Sequence, residues 1–309
     1  MRNRLITSFA STCMLLTGTM FAAPASAETY THEMGTVNFA SPPTRIAVTN
    51  WALTESVLAL GIDPVAIPES DAYRDWVVEP ALPDHFADLG TRVAPNFEAL
   101  RDSRPEVILI SAEIAMAYDK LSAFAPTVVY SIYNTDAPAI DKAEELLRHI
   151  GKLTGRSDKA EDVIASANQR IAKAAQRIRA VIGDDNDFAI VRILDDAHFR
   201  IHGPTSLFGS TLARMGFNNV WKGEVNGWGF FNGDIANLAK LGPAHFAYIE
   251  PTPKPEKAKL FNSAVWKALP FTRKNTVYQV PASWTFGGLL SGARFAEQLA
   301  DAVTTANGS

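Results

Sequence analysis

Short apolar runs and helically spaced apolar positions take turns along the first half of this chain. Arg45–Val48, Pro64–Ile67, Glu106–Ser111 and Thr127–Ser131 read as buried strands. Leu53–Leu60, Asn96–Asp102 and Ala115–Phe124 carry helical spacing between them. The strands are continuous apolar runs rather than alternating ones, which predicts a largely parallel sheet covered on both faces. Residues 28–43 read as a polar lead-in ending at Pro42-Pro43.

The rhythm breaks over residues 139–182. Helical periodicity runs from Ile140 to Leu153, and Gly155 interrupts it. A second run extends from Ser157 to about Val181, with Val163, Ile164, Ile171 and Ile178 on one side. After Gly183-Asp184-Asp185 the alternation resumes. Strands are expected at Phe188–Leu194, Phe246–Glu250 and Thr276–Val280, and helices at Ser206–Met215, Ser263–Leu269 and Ser291–Thr304. The expected organisation is α/β: two Rossmann-like lobes, 28–155 and 183–309, joined by a single long helix over 156–182.

The first 27 residues have a different pattern. Arg2 and Arg4 precede a charge-free apolar stretch from Leu5 to Ala23, and Ala25-Ser26-Ala27 follows. These are the three parts of a cleavable signal peptide, so the working protein is expected in the periplasm. Cys13, the single cysteine, falls inside this segment behind Thr12, which does not fit a lipid-attachment site. Cleavage would leave 282 of the 309 residues, without cysteine, and move the formal charge from −4 to −6. That sign argues against nucleic acid or an anionic membrane as partner. With 47% hydrophobic and 20% charged residues the chain has ordinary globular composition, and it is expected to act as a monomer.

Enzyme signatures are absent from the sequence. Gly203-Pro204-Thr205-Ser206 lacks nucleophile-elbow spacing, and there is neither a P-loop nor a dinucleotide fingerprint. Gly287-Gly288 with Gly292 reads as a tight turn packed against a lobe. His198 and His202 are four apart with Asp195 and Asp196 nearby, but Phe199 stands where a metalloprotease motif needs glutamate. An exported metal-dependent hydrolase built on these residues is the rival reading. All six tryptophans lie beyond residue 27. Trp51, Trp76, Trp221, Trp228 and Trp284 fall near loops at strand ends, where an α/β sheet binds ligands, so a cleft with aromatic walls is expected.

Several segments carry a resemblance. They are Tyr73-Arg74-Asp75-Trp76, Asp88-Leu89-Gly90-Thr91-Arg92, Gly203-Pro204-Thr205-Ser206-Leu207-Phe208, Asn226-Gly227-Trp228-Gly229 and Val280-Pro281-Ala282-Ser283-Trp284. In this order and spacing, from about Arg45 to the C-terminus, the chain resembles the periplasmic ferric-hydroxamate-siderophore-binding proteins. These are class III (helical-backbone metal-receptor) binding proteins of ABC importers. The resemblance implies capture of an iron(III)-siderophore between the lobes and delivery to an inner-membrane permease and its ATPase. It implies no enzymatic cofactor and no metal site of the protein's own, because the siderophore holds the iron.

It places Trp76 and Arg92 in the N-lobe wall and Trp228 with Trp284 in the C-lobe wall, with Trp51 near them. Ser111 and Asn226 would add polar contacts. Ile114 stands where relatives have a ligand-contacting tyrosine, for which Tyr118 would substitute, and Phe286 replaces another tyrosine. The family docks on its permease through one acid from each lobe, here Glu98 and Asp234. Corrinoid, haem and catecholate siderophores are the alternative cargoes.

Overall fold

The structure, a computed structural model, describes residues 28–307; the signal segment expected over 1–27 lies outside them. Residues 28–43 are not a simple lead-in. Strand β1 (Glu28–His32) pairs antiparallel with β2 (Gly35–Phe39) in a hairpin. Tyr30 and His32 alternate inward, a period-two signal hidden by its polar neighbours. The Glu33 carboxylate fixes the hairpin to the N-lobe, accepting hydrogen bonds from Ser131 N at 2.5 Å and Ser131 Oγ at 2.8 Å.

The N-lobe sheet contains β3 (Ile46–Val48), β4 (Ala66–Ile67), β5 (Ala87–Asp88), β6 (Val107–Ile110) and β7 (Thr127–Val129). All pair in parallel, in the order β5-β4-β3-β6-β7. The chain thus winds outward one way from β3 and the other way from β6, and the crevice at their carboxyl ends is a topological switch point. Thr49 and Asn50 leave β3 there, Ser111 leaves β6, and Asn50 Nδ2 donates to Ser111 Oγ at 2.7 Å. Asn50 also caps the helix Trp51–Ala59, accepting from Leu53 N at 2.9 Å. The helix expected over Ala115–Phe124 is instead a 3-10 turn, Ala112–Ala117, followed by a short helix, Tyr118–Ser122.

The C-lobe sheet is mixed. It comprises β8 (Asp187–Ile193), β9 (His198–His202), β10 (Asn218–Asn219), β11 (Phe230–Asp234), β12 (His245–Ile249) and β13 (Val277–Val280). The order is β11-β9-β8-β12-β13, with β10 also beside β8; β9 runs antiparallel to both neighbours.

The linking helix spans Ser157–Ile182. Ala160, Ile164, Ala167, Ile171, Ala174 and Ile178 form its buried stripe, and the small alanines let neighbouring helices approach closely. Ala139–Leu153 and the C-terminal helix Leu289–Asn307 pack along it. One core therefore runs from Ile46 and Val48 through these helices to Phe188, Ile190 and Phe208, which stacks on Phe295 at 4.0 Å.

At the centre of this shared core lies a carboxylate. Glu55, on the helix Trp51–Ala59, is 1% exposed. It accepts hydrogen bonds from the backbone N–H groups of Gly288, Leu290 and Ser291, at 3.1, 2.7 and 3.0 Å, and from Ser291 Oγ. An acid thus caps the amino end of the last helix from the other lobe, where the helix dipole favours negative charge. The turn expected at Gly287-Gly288 exists for this approach, since a Cβ on Gly288 would lie 2.9 Å from Glu55 Oε1. Burial outweighs the donors and raises the carboxyl to about 6.

Glu55→Ala would leave three buried N–H groups without acceptors and is expected to cost about 3 kcal/mol or more in chemical denaturation. Glu55→Gln, which keeps one acceptor oxygen, should fall between the two.

Candidate functional site

Between the lobes is a cavity of about 350 Å³, within the range of small-molecule sites. From the N-lobe it is lined by Asn50, Trp51, Glu69, Arg92, Ser111, Glu113, Ile114 and Tyr133. From the C-lobe it is lined by Arg200, Trp228, Phe230, Trp284 and Phe286. The switch-point crevice supplies Asn50, Trp51 and Ser111, while the segment after β13 supplies Trp284 and Phe286.

Arg92 is the central cation. Its guanidinium carbon lies 3.8 Å from the centre of the Trp51 ring and 4.6 Å from that of Trp284. Its Nε donates to Glu69 at 2.5 Å. Trp51 is itself fixed, because its Nε1 donates to Pro68 O at 3.1 Å and its ring meets Trp284 edge-on at 4.6 Å. Ser111 Oγ donates to the Glu113 carboxylate, which desolvation raises above its ordinary value.

On the opposite wall Trp228 stacks on Tyr133 at 5.3 Å and meets Phe286 edge-on at 4.9 Å. Tyr133 Oη donates to Gly287 O at 2.7 Å, and Asn134 N donates to Gly227 O at 2.7 Å. These contacts join the lobes beside the cavity. Gly229 is required next to Trp228: its φ is +79°, and a Cβ there would meet Ser206 N at 2.4 Å.

The expected residues Trp51, Arg92, Ser111, Trp228, Trp284 and Phe286 thus come together. Three others do not reach the cavity surface. Trp76 sits one ring behind the wall, 6.0 Å from Trp284. Tyr118 packs against His32 at 5.7 Å, because the short helix that carries it turns its ring toward the hairpin. Asn226 Oδ1 is occupied within its own turn, accepting from Trp228 N at 3.0 Å and Phe230 N at 3.2 Å.

The sequence reading missed Glu69, Glu113, Tyr133, Phe230 and Arg200. Glu69 and Glu113 carry no motif. Arg200 lies on a strand, outside the loops where cations were sought.

The paired histidines make no metal site. They sit on β9, where four residues span about 13 Å. His198 bonds Asp195 at 2.9 Å at the surface, whereas His202 is 1% exposed, between Phe208 and Phe230. Among the described residues no group of three or more His, Cys, Asp or Glu is placed to hold a metal ion. Burial, helped by Arg200 and Arg192, lowers His202 to about 3. A histidine held neutral in this way contributes full stability above its unfolded value of 6.5 and loses it as pH falls toward 3. His202→Phe is therefore expected to remove about 3 kcal/mol of the stability lost between pH 7 and pH 4, measured by urea denaturation at both values.

Comparison with known proteins fits this architecture. The periplasmic binding protein profile matches residues 46–283. The iron(3+)-hydroxamate-binding protein FhuD of Escherichia coli K12 is 30% identical over 272 residues, covering 88% of this chain and 91% of that protein. The ferric enterobactin-binding periplasmic protein FepB of E. coli O6:H1 is 30% identical over 227 residues, covering 66% and 67%. The crystal structure of the siderophore-binding protein FhuD from Vibrio cholerae, bound to Fe3+-Desferal, superposes with a TM-score of 0.80 at 26% identity. It covers 85% of this chain and 99% of that one. On the profile match and the near full-length similarity to FhuD, the chain belongs to the periplasmic binding protein family.

Proposed function

We propose that the protein captures iron(III)-hydroxamate siderophores in the periplasm, after removal of residues 1–27, and hands them to an inner-membrane ABC permease. The observation that carries this reading is the Arg92 guanidinium held across two indole faces in an interlobe cavity. Three hydroxamates offset the charge of Fe3+ and leave six oxygens with partial negative charge around the metal. A guanidinium fork can donate to two of them, and aromatic faces suit the apolar periphery. The near full-length similarity to a hydroxamate-binding protein supports the same cargo. The enterobactin-binding relative makes a catecholate the competing cargo. A triply charged catecholate would present charge on all sides, against Glu69 and Glu113 on the N-lobe wall, and the hydroxamate fits that wall better.

Capture and release are equilibrium binding with no chemical step. Glu98, exposed at the start of the helix Phe97–Asp102, and Asp234, exposed at the end of β11, are our candidates for permease docking. Asp234 also caps the helix Ile235–Ala239, accepting from Ala236 N at 2.9 Å, so its replacement must preserve the cap.

Titration with ferrichrome should quench tryptophan fluorescence saturably, and ferric enterobactin, haem and a corrinoid should not. Tight enterobactin binding without ferrichrome binding would sink the hydroxamate reading. Arg92→Ala, which removes the ion-pair partner of Glu69 and leaves it only the backbone N–H of residue 92, should weaken ferrichrome binding roughly tenfold or more. The double variant Glu98→Gln/Asp234→Asn should bind ferrichrome like the parent while cellular uptake of the chelate falls roughly fivefold or more. Unchanged uptake would remove these acids from the docking surface.

A further inference from the structure

Part of the N-lobe wall of the cavity has little to hold it from within. Ser111, Glu113 and Ile114 line the cleft at the start of the 3-10 turn Ala112–Ala117. Hydrogen bonds in such turns are poorly aligned, and this one is interrupted by non-helical backbone at Ile114. Met116, in the same turn, is fully exposed. The Ser111 hydroxyl does not cap the turn, being engaged with Asn50 and Glu113 instead. The first N–H of the turn, that of Ala112, is satisfied from the end of another strand, by Ser131 Oγ at 3.0 Å.

Ser131 is in turn oriented by the amino-terminal hairpin. Its backbone N–H and its hydroxyl both donate to the carboxylate of Glu33, at the turn between β1 and β2. A serine hydroxyl has one hydrogen, and with that hydrogen given to Glu33 a lone pair is left for the Ala112 N–H. Glu33 is registered against the N-lobe sheet by its own backbone, since Glu33 N donates to Val129 O at 3.2 Å. The hairpin reaches the same segment a second time, where the His32 ring meets Tyr118 just beyond the turn.

Close packing does not replace these ties. Beneath the hairpin is a second cavity, of about 270 Å³, lined in part by His32, Glu33, Tyr130, Ser131 and His149. Tyr130 borders both this space and the interlobe cavity, so it belongs to the partition between them. A wall with a hollow behind it keeps its shape through directional bonds more than through dense contact.

We propose that Glu33 is a positioning residue for cargo binding: through Ser131 it holds the Ser111–Ile114 wall of the cleft, and the hairpin serves the site as a strut. Glu33 does not line the interlobe cavity and acts without touching the cargo. The effect on binding rests on the reading of the cleft as a ferric hydroxamate site; the effect on the wall does not.

Hydrogen–deuterium exchange and ferrichrome titration test the two effects separately. In Glu33→Ala the amides of residues 111–117 should exchange roughly fivefold faster, and ferrichrome affinity should fall by about the same factor, the effect of losing one hydrogen-bonded support. Glu33→Gln, whose amide oxygen can still accept from Ser131 N, should recover most of both. Ser131→Ala should reproduce the loss, and Glu33→Ala/Ser131→Ala should lose no more than either alone, because the two residues act in one chain. Val37→Ala is the control. It thins the packing of β2 against the core, so it should lower the melting temperature while leaving exchange at 111–117 and affinity as in the parent. Unchanged exchange or unchanged affinity in Glu33→Ala, or equal effects in Val37→Ala, would overturn the strut. If the parent binds no ferrichrome, the hydroxamate reading fails and the exchange comparison alone decides the strut.

Discussion

The registration of the two lobes depends on one buried carboxylate. Glu55 belongs to the first helix of the N-lobe, yet its hydrogen-bond donors all belong to the amino end of the last helix. Backbone N–H groups at a helix start must find acceptors, and here a single side chain from the opposite lobe serves three of them. The segment between β13 and that helix carries Trp284 and Phe286, so the distance between the aromatic walls follows from this contact. Gly287 and Gly288 are the sequence trace of it: a side chain at either position would collide with Ser291 or with the carboxylate.

The fold was largely legible because burial leaves a one-dimensional signature. Continuous apolar runs marked β3, β6, β7, β8 and β12, and the stripe through Ile164, Ile171 and Ile178 marked the linking helix. The hairpin was not legible, since Thr and His alternate there with residues whose burial depends on distant partners, whereas the segment around His198 and His202 reads as a loop running into a strand, as β9 is. The site divided the same way. Tryptophans beside strand ends pointed to a cleft, but Glu55, Glu69 and Arg200 gain meaning only from partners far along the chain. Asn226 and Tyr118 looked available on the same grounds, and local geometry committed both elsewhere.

Aromatic rings and guanidinium groups are interleaved through the interlobe region. Arg192, Trp76, Trp284, Arg92 and Trp51 follow one another at 3.8 to 6.0 Å. This arrangement keeps cations near an apolar cavity without the full cost of burying bare charge, because indole faces partly replace water. Trp76, though absent from the cavity surface, links an N-lobe helix to a C-lobe strand and props the ring in front of it.

The continuous core beneath the cleft bears on how cargo leaves. In a receptor whose lobes swing freely, closure adapts to the guest and thermal opening frees it. Here the helices below the cavity are packed into both lobes, so the gap behaves as a fixed gauge. Guests are selected by whether they fit the opening, and the residence time is set by contacts with the walls. Unloading then requires leverage from outside. If the permease engages both lobes, as proposed for Glu98 and Asp234, it would be placed to prise these walls apart.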